Sequence, residues 1–254
     1  MTADLQKASI TKRIAAALLD FIILTILVTG AAALLTTVLG YDSYTEAMTA
    51  RQNIFEAEYN VDFDISQEDF DKLTTEEQKK YEEAYQALYK DKEFSYAFNM
   101  VINLILLITS LSILVGVVVV EFVIPLWLKN GQTVGKKVFS LGLVRMDGVQ
   151  ISTLQLFVRS ILGKYTIEIM IPVYIIIMLF FGTASIISLA ILAGLLIGQL
   201  ICLIANRTNA AIHDLLCGTA VIDIASQNIF RTREELLEYT KKVHTERANR
   251  SDYK

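Results

Sequence analysis

The forty-residue stretch Thr166 to Ala205, "TIEIMIPVYIIIMLFFGTASIISLAILAGLLIGQLICLIA", decides the fold. A membrane helix needs about 20 apolar residues to cross the hydrocarbon core, so this stretch is long enough to cross twice. Gly, Thr and Ser gather near its middle in "FGTAS", Phe181 to Ser185, and favour a turn there. The stretch therefore predicts two transmembrane helices, over about 166–181 and 185–205.

Two other apolar stretches, Ile14 to Leu39 and Ala97 to Val120, are also long enough to span a membrane. Hydrophobic residues make up 54% of the chain and the mean hydropathy is +0.46, a profile typical of membrane proteins. The first stretch exceeds the apolar region of a signal peptide and lacks a cleavage motif, so we expect it to remain in the protein. We predict an all-α membrane protein with four transmembrane helices, over about 14–39, 97–120, 166–181 and 185–205.

Charge is distributed unevenly along the chain. Residues 41–95 carry 15 acidic and 6 basic side chains, a net charge of −9, whereas the remainder carries 12 acidic and 17 basic ones, a net of +5. Because Lys and Arg concentrate in short cytoplasmic loops, we expect a cell-membrane protein with both termini in the cytoplasm and an extracytoplasmic acidic insert at 41–95. The basic residues that set this orientation are Lys7, Lys12, Arg13, Lys129, Lys136, Lys137, Arg145, Arg159 and Lys164.

Two capping-box spacings predict helices outside the four spans. Thr74 and Glu77 begin a helix in the acidic insert, which we expect to be a small helical cap. Ser152 and Gln155 begin an amphipathic helix before the third span, which we expect to lie in the inner membrane interface. Basic side chains on that side are candidates for binding anionic lipid head groups, although the positive-inside rule alone also accounts for them. They are Lys136, Lys137 and Lys164.

The loop between the second and third spans contains a turn signal. "FSLGLVR" and "VQIS" flank "MDG", which predicts a β-hairpin over 139–152. In "GQTVGKK", from Gly131, the spacing of the glycines and the residue after Lys136 differ from those of a phosphate loop. The two histidines lie in separate contexts, and no Ser-His-Asp set or metal-ligand spacing is present in the sequence. We therefore expect no enzyme activity, no cofactor, no metal site and no nucleic-acid partner.

Four sequence blocks stand out together. They are "RIAAALLD" from Arg13, "GQTVGKKVFSLGLVRMDG" from Gly131, an arginine in the following amphipathic helix, and "HDLLCGTAVI" from His213. This pattern resembles the RDD family of small integral membrane proteins, named for an arginine and two aspartates. The resemblance implies a membrane domain within 1–224, excluding the acidic insert, and a signature of Arg13, Asp20 and Asp214. It also implies either cation/proton antiport or partnership with membrane enzymes, the roles proposed for members.

Ionisable side chains inside a span cost roughly 2.5–3.5 kcal/mol each, so they persist where they are paired, hydrated or functional. Helical spacing puts polar side chains at a similar depth on three spans, with a further carboxylate nearer the surface. These candidates for cation or proton binding are Asp20, Glu121, Gln199 and Glu168. We expect Asp214, beside His213 at the inner end of the fourth span, to pair with Arg13 or Arg159 and close this polar layer.

Two functions are open at this point. In one, the protein transports a small cation or a proton through its intramembrane carboxylates. In the other, the same charges fix the helices, and the protein is a non-catalytic scaffold or regulatory partner of another membrane protein. The small residues of "GLLIG", Gly194 to Gly198, favour close helix packing, either against the first span or in a homodimer. Residues 225–254 form a charged cytoplasmic tail.

Overall fold

Helices dominate the fold. The structure, a computed structural model, describes residues 8–128, 130–205, 209–225 and 227–251; Lys7 and Lys129, used above for orientation, lie outside these ranges. Within these described ranges, four helical runs are long and apolar enough to cross a membrane, which confirms the predicted number. They are Ile10–Val38, Lys92–Leu128, Thr153–Phe180 and Ile186–Ala205, named here spans 1 to 4.

Several spans are composite, and short elements connect them. In chain order the elements are α1 (Ile10–Val38), α2 (Tyr41–Tyr59), α3 (Gln67–Phe70), α4 (Thr75–Lys90), α5 (Lys92–Val117), π1 (Val118–Val123), α6 (Ile124–Leu128), α7 (Val134–Val138), β1 (Leu141–Arg145), α8 (Thr153–Phe157), π2 (Val158–Met170), α9 (Ile171–Phe180), α10 (Ile186–Ala205), α11 (Ile212–Leu216), β2 (Thr219–Asp223) and α12 (Arg233–Ser251).

Span 2 adopts π-helical geometry around Glu121. Pro125, four residues later, has no backbone N–H to donate to the Glu121 carbonyl. The hydroxyl of Ser160 in span 3 donates to that carbonyl instead, at 2.7 Å. Segments of π-helix are rare and are frequently found at functional sites. Here the segment holds the Glu121 side chain inside the protein, where it is buried.

Span 3 begins with the predicted capping box. Ser152 accepts from the backbone N–H of Gln155 at 3.2 Å, and the Gln155 side chain accepts from the N–H of Ser152 at 3.3 Å. The helix then continues without a break into the apolar segment, so the predicted amphipathic helix and the third span form one helical run, Thr153–Phe180. The reason is that Arg159 and Lys164 have carboxylate partners inside the protein and need not end the helix to reach water.

A two-stranded antiparallel sheet joins β1 to β2, with Leu143 opposite Val221. The predicted hairpin over 139–152 is shorter than expected: Arg145 donates its backbone N–H to the Val149 carbonyl at 2.9 Å, and an isolated antiparallel bridge joins Val144 to Gln150. The partner of β1 instead comes from "HDLLCGTAVI", so the sheet joins two of the four blocks quoted above. The buried core around it consists of Ala8, Ala16, Leu141, Leu143, Leu156 and Val221.

The chain divides into two compact units, one of Met1–Val28 and Ile113–Lys254 and the other of Thr29–Ser112. Span 4 belongs to the first unit. Among the described residues, nothing lies within 4 Å of a side chain built at Gly194, and at Gly198 the nearest atom is Ile212 Cδ1, at 3.9 Å. The expected packing of "GLLIG" against span 1 is therefore wrong at both glycines.

The second unit contains the acidic insert, which is helical. Helix α4 of the insert begins with the predicted capping box of Thr74 and Glu77. Arg51 of α2 pairs with Asp91 at 2.7 Å, and Asp91 accepts from the backbone N–H of Phe94 at 2.9 Å, so α5 begins separately from α4. Packed aromatic rings also stabilise the unit: Phe63, Phe70, Tyr81, Tyr85, Tyr89, Phe94 and Phe98.

Candidate functional site

A cavity of about 330 Å³ lies in the first unit, lined by residues of all four spans. Every site residue predicted from the sequence is on its wall except Lys137, which is exposed. Among the residues that the structure describes, the wall carries four basic side chains and four carboxylates, so their charges balance. They are Arg13, Lys136, Arg159 and Lys164, with Asp20, Glu121, Glu168 and Asp214.

Arg159 and Asp214 form the centre of this ion network. Arg159 Nε donates to Asp214 Oδ1 at 2.8 Å, and the two side chains are 2% and 0% exposed. Arg13 lies 3.4 Å from the other carboxylate oxygen and also donates to the carbonyl of Asn209. Burial alone would raise the pKa of Asp214, but the charge of Arg159 leads the opposing interactions and holds that pKa below its usual range. Asp214 thus has both predicted partners, Arg159 being the closer.

His213 lies between Arg159 and Glu168. Its Nε2 atom is 2.8 Å from Arg159 Nη2, and its Nδ1 atom is 2.7 Å from Glu168 Oε2. Gly163 permits this approach, because a Cβ there would lie 2.7 Å from His213 Cβ. Burial lowers the pKa of His213 despite the adjacent Asp214 carboxylate, so the imidazole is neutral near pH 7.

Glu121 is surrounded by three cations. Lys164 donates to its Oε1 atom, while Arg159 Nη1 and Lys136 Nζ lie 3.4 and 3.8 Å from its Oε2 atom. Burial, reinforced by the charge of Arg159, lowers the pKa of Lys136 to about 8. Lys136 and Lys164, expected at lipid head groups, are therefore ion partners of a buried carboxylate in the structure, whereas Lys137 is exposed.

Asp20 anchors span 1 to α7. Its carboxylate accepts from the Thr133 hydroxyl and, at 2.8 Å, from the backbone N–H of Gly135. A side chain at Gly135 would collide with the backbone carbonyl of Ala16, so only glycine allows α7 to approach this closely. Because α7 also carries Lys136, the anchor holds that lysine beside Glu121.

Gln199 and two hydroxyl groups complete the connections. Gln199 Oε1 accepts from the backbone N–H of Ile212 at 3.1 Å and thereby ties span 4 to α11. Sequence reasoning missed Thr133 and Ser160. Thr133 carried a usable signal, since a threonine before a short helix is a preferred N-cap, and it accepts from the Lys136 N–H at 3.3 Å. Ser160 carried none, because its partner is a carbonyl on another span.

Comparison with known proteins identifies the family of the chain. The sequence model of the RDD family matches residues 7–218 of the 254-residue chain. This region contains every described residue of the cavity wall except Val221. The searches of curated proteins and of solved structures gave no significant match. Arg13, Asp20 and Asp214, the arginine and aspartates of the resemblance, all lie on that wall. Matched over most of its length, the chain belongs to the RDD family.

Proposed function

We propose that this membrane protein is a transporter that exchanges a small monovalent cation for a proton, with Glu121 as the cation-binding carboxylate. The main support is the position of Glu121 on the cavity wall, where Lys164 and Lys136 approach its two oxygens. An ammonium group and a monovalent metal ion carry the same charge, so one can replace the other without unbalancing the network. Within the described ranges, no three His, Cys, Asp or Glu side chains are grouped to hold a metal ion, which favours a singly charged ion.

Charge balance couples the cation to a proton. Because the described wall residues include four positive and four negative side chains, an added cation leaves an excess positive charge in a poorly hydrated site. Lys136 can remove this excess, because burial, with the charge of Arg159, lowers its pKa to about 8 and its ammonium group can lose a proton. Cation entry and proton release are then two parts of one exchange. No cofactor or catalytic step takes part in it.

The charge asymmetry supports a cell-membrane orientation with both termini in the cytoplasm and the acidic insert outside. After replacement of the two native cysteines by serine, a cysteine at Glu68 should react with an impermeant maleimide added to intact cells. A cysteine at Gly148 should react only after lysis. The reverse pattern would overturn the orientation. In the proposed orientation the exposed Lys137 is available to anionic lipid head groups.

Purified protein in proteoliposomes containing a pH-sensitive dye tests the exchange. Gradients of sodium, potassium and lithium are applied in turn, with choline as the control, and at least one should drive proton movement.

Glu121→Gln should abolish the signal because the cation loses its ligand. Lys136→Arg keeps the positive charge but cannot release a proton at physiological pH, so it should abolish the signal in a folded protein. Glu82→Gln, an exposed carboxylate on α4, is the matched control and should behave as wild type. A fully active Lys136→Arg variant would refute the coupling.

The second candidate is a non-catalytic scaffold or regulatory partner. This candidate is favoured because each described carboxylate on the wall already accepts a hydrogen bond from another part of the protein. Carboxylates that serve only to hold the helices together would have such partners. A second copy of the chain or another membrane protein would then pack on the open face of span 4 at Gly194 and Gly198. A folded wild-type preparation that moves no protons under any cation gradient would favour this candidate.

A further inference from the structure

The hydrogen bonds around His213 define its tautomer. A guanidinium has only donors, so the Nε2 atom of His213, 2.8 Å from Arg159 Nη2, must accept. The proton of the neutral imidazole is then on Nδ1, which donates to Glu168 Oε2 at 2.7 Å. The other oxygen of Glu168 accepts from the backbone N–H of His213 at 2.9 Å and fixes the pair. His213 therefore holds Arg159 through a lone pair that a second proton would occupy.

A protonated His213 has another partner within reach. Asp214 Oδ1 lies 3.5 Å from its Nε2 atom, and this oxygen now accepts from Arg159 Nε at 2.8 Å. Once protonated, Nε2 can no longer accept a hydrogen bond from Arg159. It would instead donate a hydrogen bond to Asp214 Oδ1, which Arg159 now occupies. Arg159 Nη1 is already 3.4 Å from Glu121 Oε2. A guanidinium displaced from Asp214 therefore moves toward Glu121, the nearest other carboxylate of its own network.

Packing favours movement of Arg159 over movement of His213. Glu168 binds both the ring and the backbone of His213, and Gly163 brings span 3 against the same residue. The charged groups around the ring are Glu168 and Arg159 from span 3 and Asp214 from α11, with Arg13, Asp20, Glu121, Lys136 and Lys164 on the same cavity wall. Burial lowers the pKa of His213 below its ordinary value near 6.5, so the second proton enters only below that pH.

We propose that His213 is a proton site that controls Arg159: a proton taken from solvent onto Nε2 breaks the bond to Arg159, engages Asp214 and shifts the guanidinium toward Glu121. The link to ion exchange rests on the proposed function, in which Glu121 binds the cation. Arg159 then competes with the cation for Glu121. Because binding couplings are reciprocal, a cation at Glu121 in turn lowers the affinity of His213 for its proton.

Nitrogen NMR of the full-length protein in detergent micelles, labelled with ¹⁵N-histidine and ¹⁵N-arginine, tests the switch. The chain has two histidines, and exposed His244 on α12 is the internal reference. Variants His244→Gln and Arg159→Lys assign the signals. At pH 7.5 or so, His213 should carry its proton on Nδ1. On acidification its midpoint should lie below the ordinary histidine value near 6.5, and the Arg159 Nε signal should move with the same midpoint. A proton on Nε2 at neutral pH, or an Arg159 signal that ignores the His213 titration, overturns the proposal.

A second arm separates this proposal from the transport function. Replacing choline chloride by sodium chloride should lower the His213 midpoint by roughly 0.7 pH unit, about a fivefold loss of proton affinity, which is the lower end of typical couplings. Glu121→Gln should abolish that sodium effect. If Arg159 follows His213 but sodium, potassium and lithium leave the midpoint unchanged, the cation site at Glu121 is refuted and the proton switch stands. If the midpoint responds to sodium while Arg159 does not move, the switch is refuted and cation binding stands.

Discussion

Neutralising Asp214 should be among the most damaging single changes in the protein. Asp214→Asn keeps the shape of the side chain but removes one of the four carboxylates of a balanced cavity wall. Arg159, 2.8 Å away and 2% exposed, then has no full countercharge there, and Arg13 at 3.4 Å loses its partner as well. Breaking one partner of a buried ion pair commonly costs about 3–5 kcal/mol. For a chain of this size that corresponds to a fall in melting temperature of roughly 6–20 °C.

Asp147→Asn is the matched control. Arg145 and Asp147 form an Arg–Asp pair at the same distance, 2.8 Å, but their side chains are 44% and 34% exposed. Exposed pairs contribute about 0–1 kcal/mol, so this variant should melt within a few degrees of wild type. The assay is the loss of monodisperse protein in detergent after heating, followed by size-exclusion chromatography. If Asp214→Asn melts no lower than Asp147→Asn, the buried ion pairs of Asp214 do not stabilise the fold.

The stability gap has a defined pH dependence. Burial acts to raise the pKa of Asp214, but Arg159 and its neighbours hold it below its usual range. A carboxylate with a depressed pKa contributes stability above its unfolded pKa, about 3.9, and loses it as the pH falls through the folded value. The gap between wild type and Asp214→Asn should therefore persist from about pH 8 to about pH 5.

Two further outcomes follow from the same geometry. The charges can be exchanged by combining Arg13→Asp with Asp214→Arg. This double variant should not regain the wild-type melting temperature, because the new arginine would face Arg159. Full recovery would mean that Arg13 is the main partner of Asp214. Gly135→Ala should lower stability by about 1–3 kcal/mol through overpacking against span 1. Gly194→Ala, where space is open, should not, and the opposite ranking in the same melting assay would indicate that span 4 packs against another chain.

Local signals accounted for much of the fold. Hydropathy located four spans, and the capping boxes at Thr74 and Ser152 are present where the spacing predicted them. The cost of burying charge also predicted that Asp214 would pair with Arg13 or Arg159, and both contacts exist. These inferences succeed because each depends on residues a few positions apart, or on a charge that must find a partner.

The remaining features depend on long-range contacts. The turn at "MDG" favoured a local hairpin, yet β1 pairs with β2, whose residue Val221 lies far along the chain from Leu143. Asp20 was a cation-site candidate because it is an ionisable side chain inside a span. Its observed partners are a hydroxyl and a backbone N–H, from Thr133 and Gly135. Such partners leave no charge pattern in the sequence. Neither does the shift to π-helical geometry around Glu121.

The proposed exchange depends on the unequal sharing of Arg159. An ion pair that only fixed two helices would need one acid and one base, whereas the described residues of this wall include four of each. Arg159 lies 2.8 Å from Asp214 and 3.4 Å from Glu121, so a small movement of one guanidinium redistributes charge between two carboxylates. The neutral wall also opposes entry of an ion without departure of another. The proposed exchange requires both of these properties, whereas an ion network that only stabilised the fold would require neither.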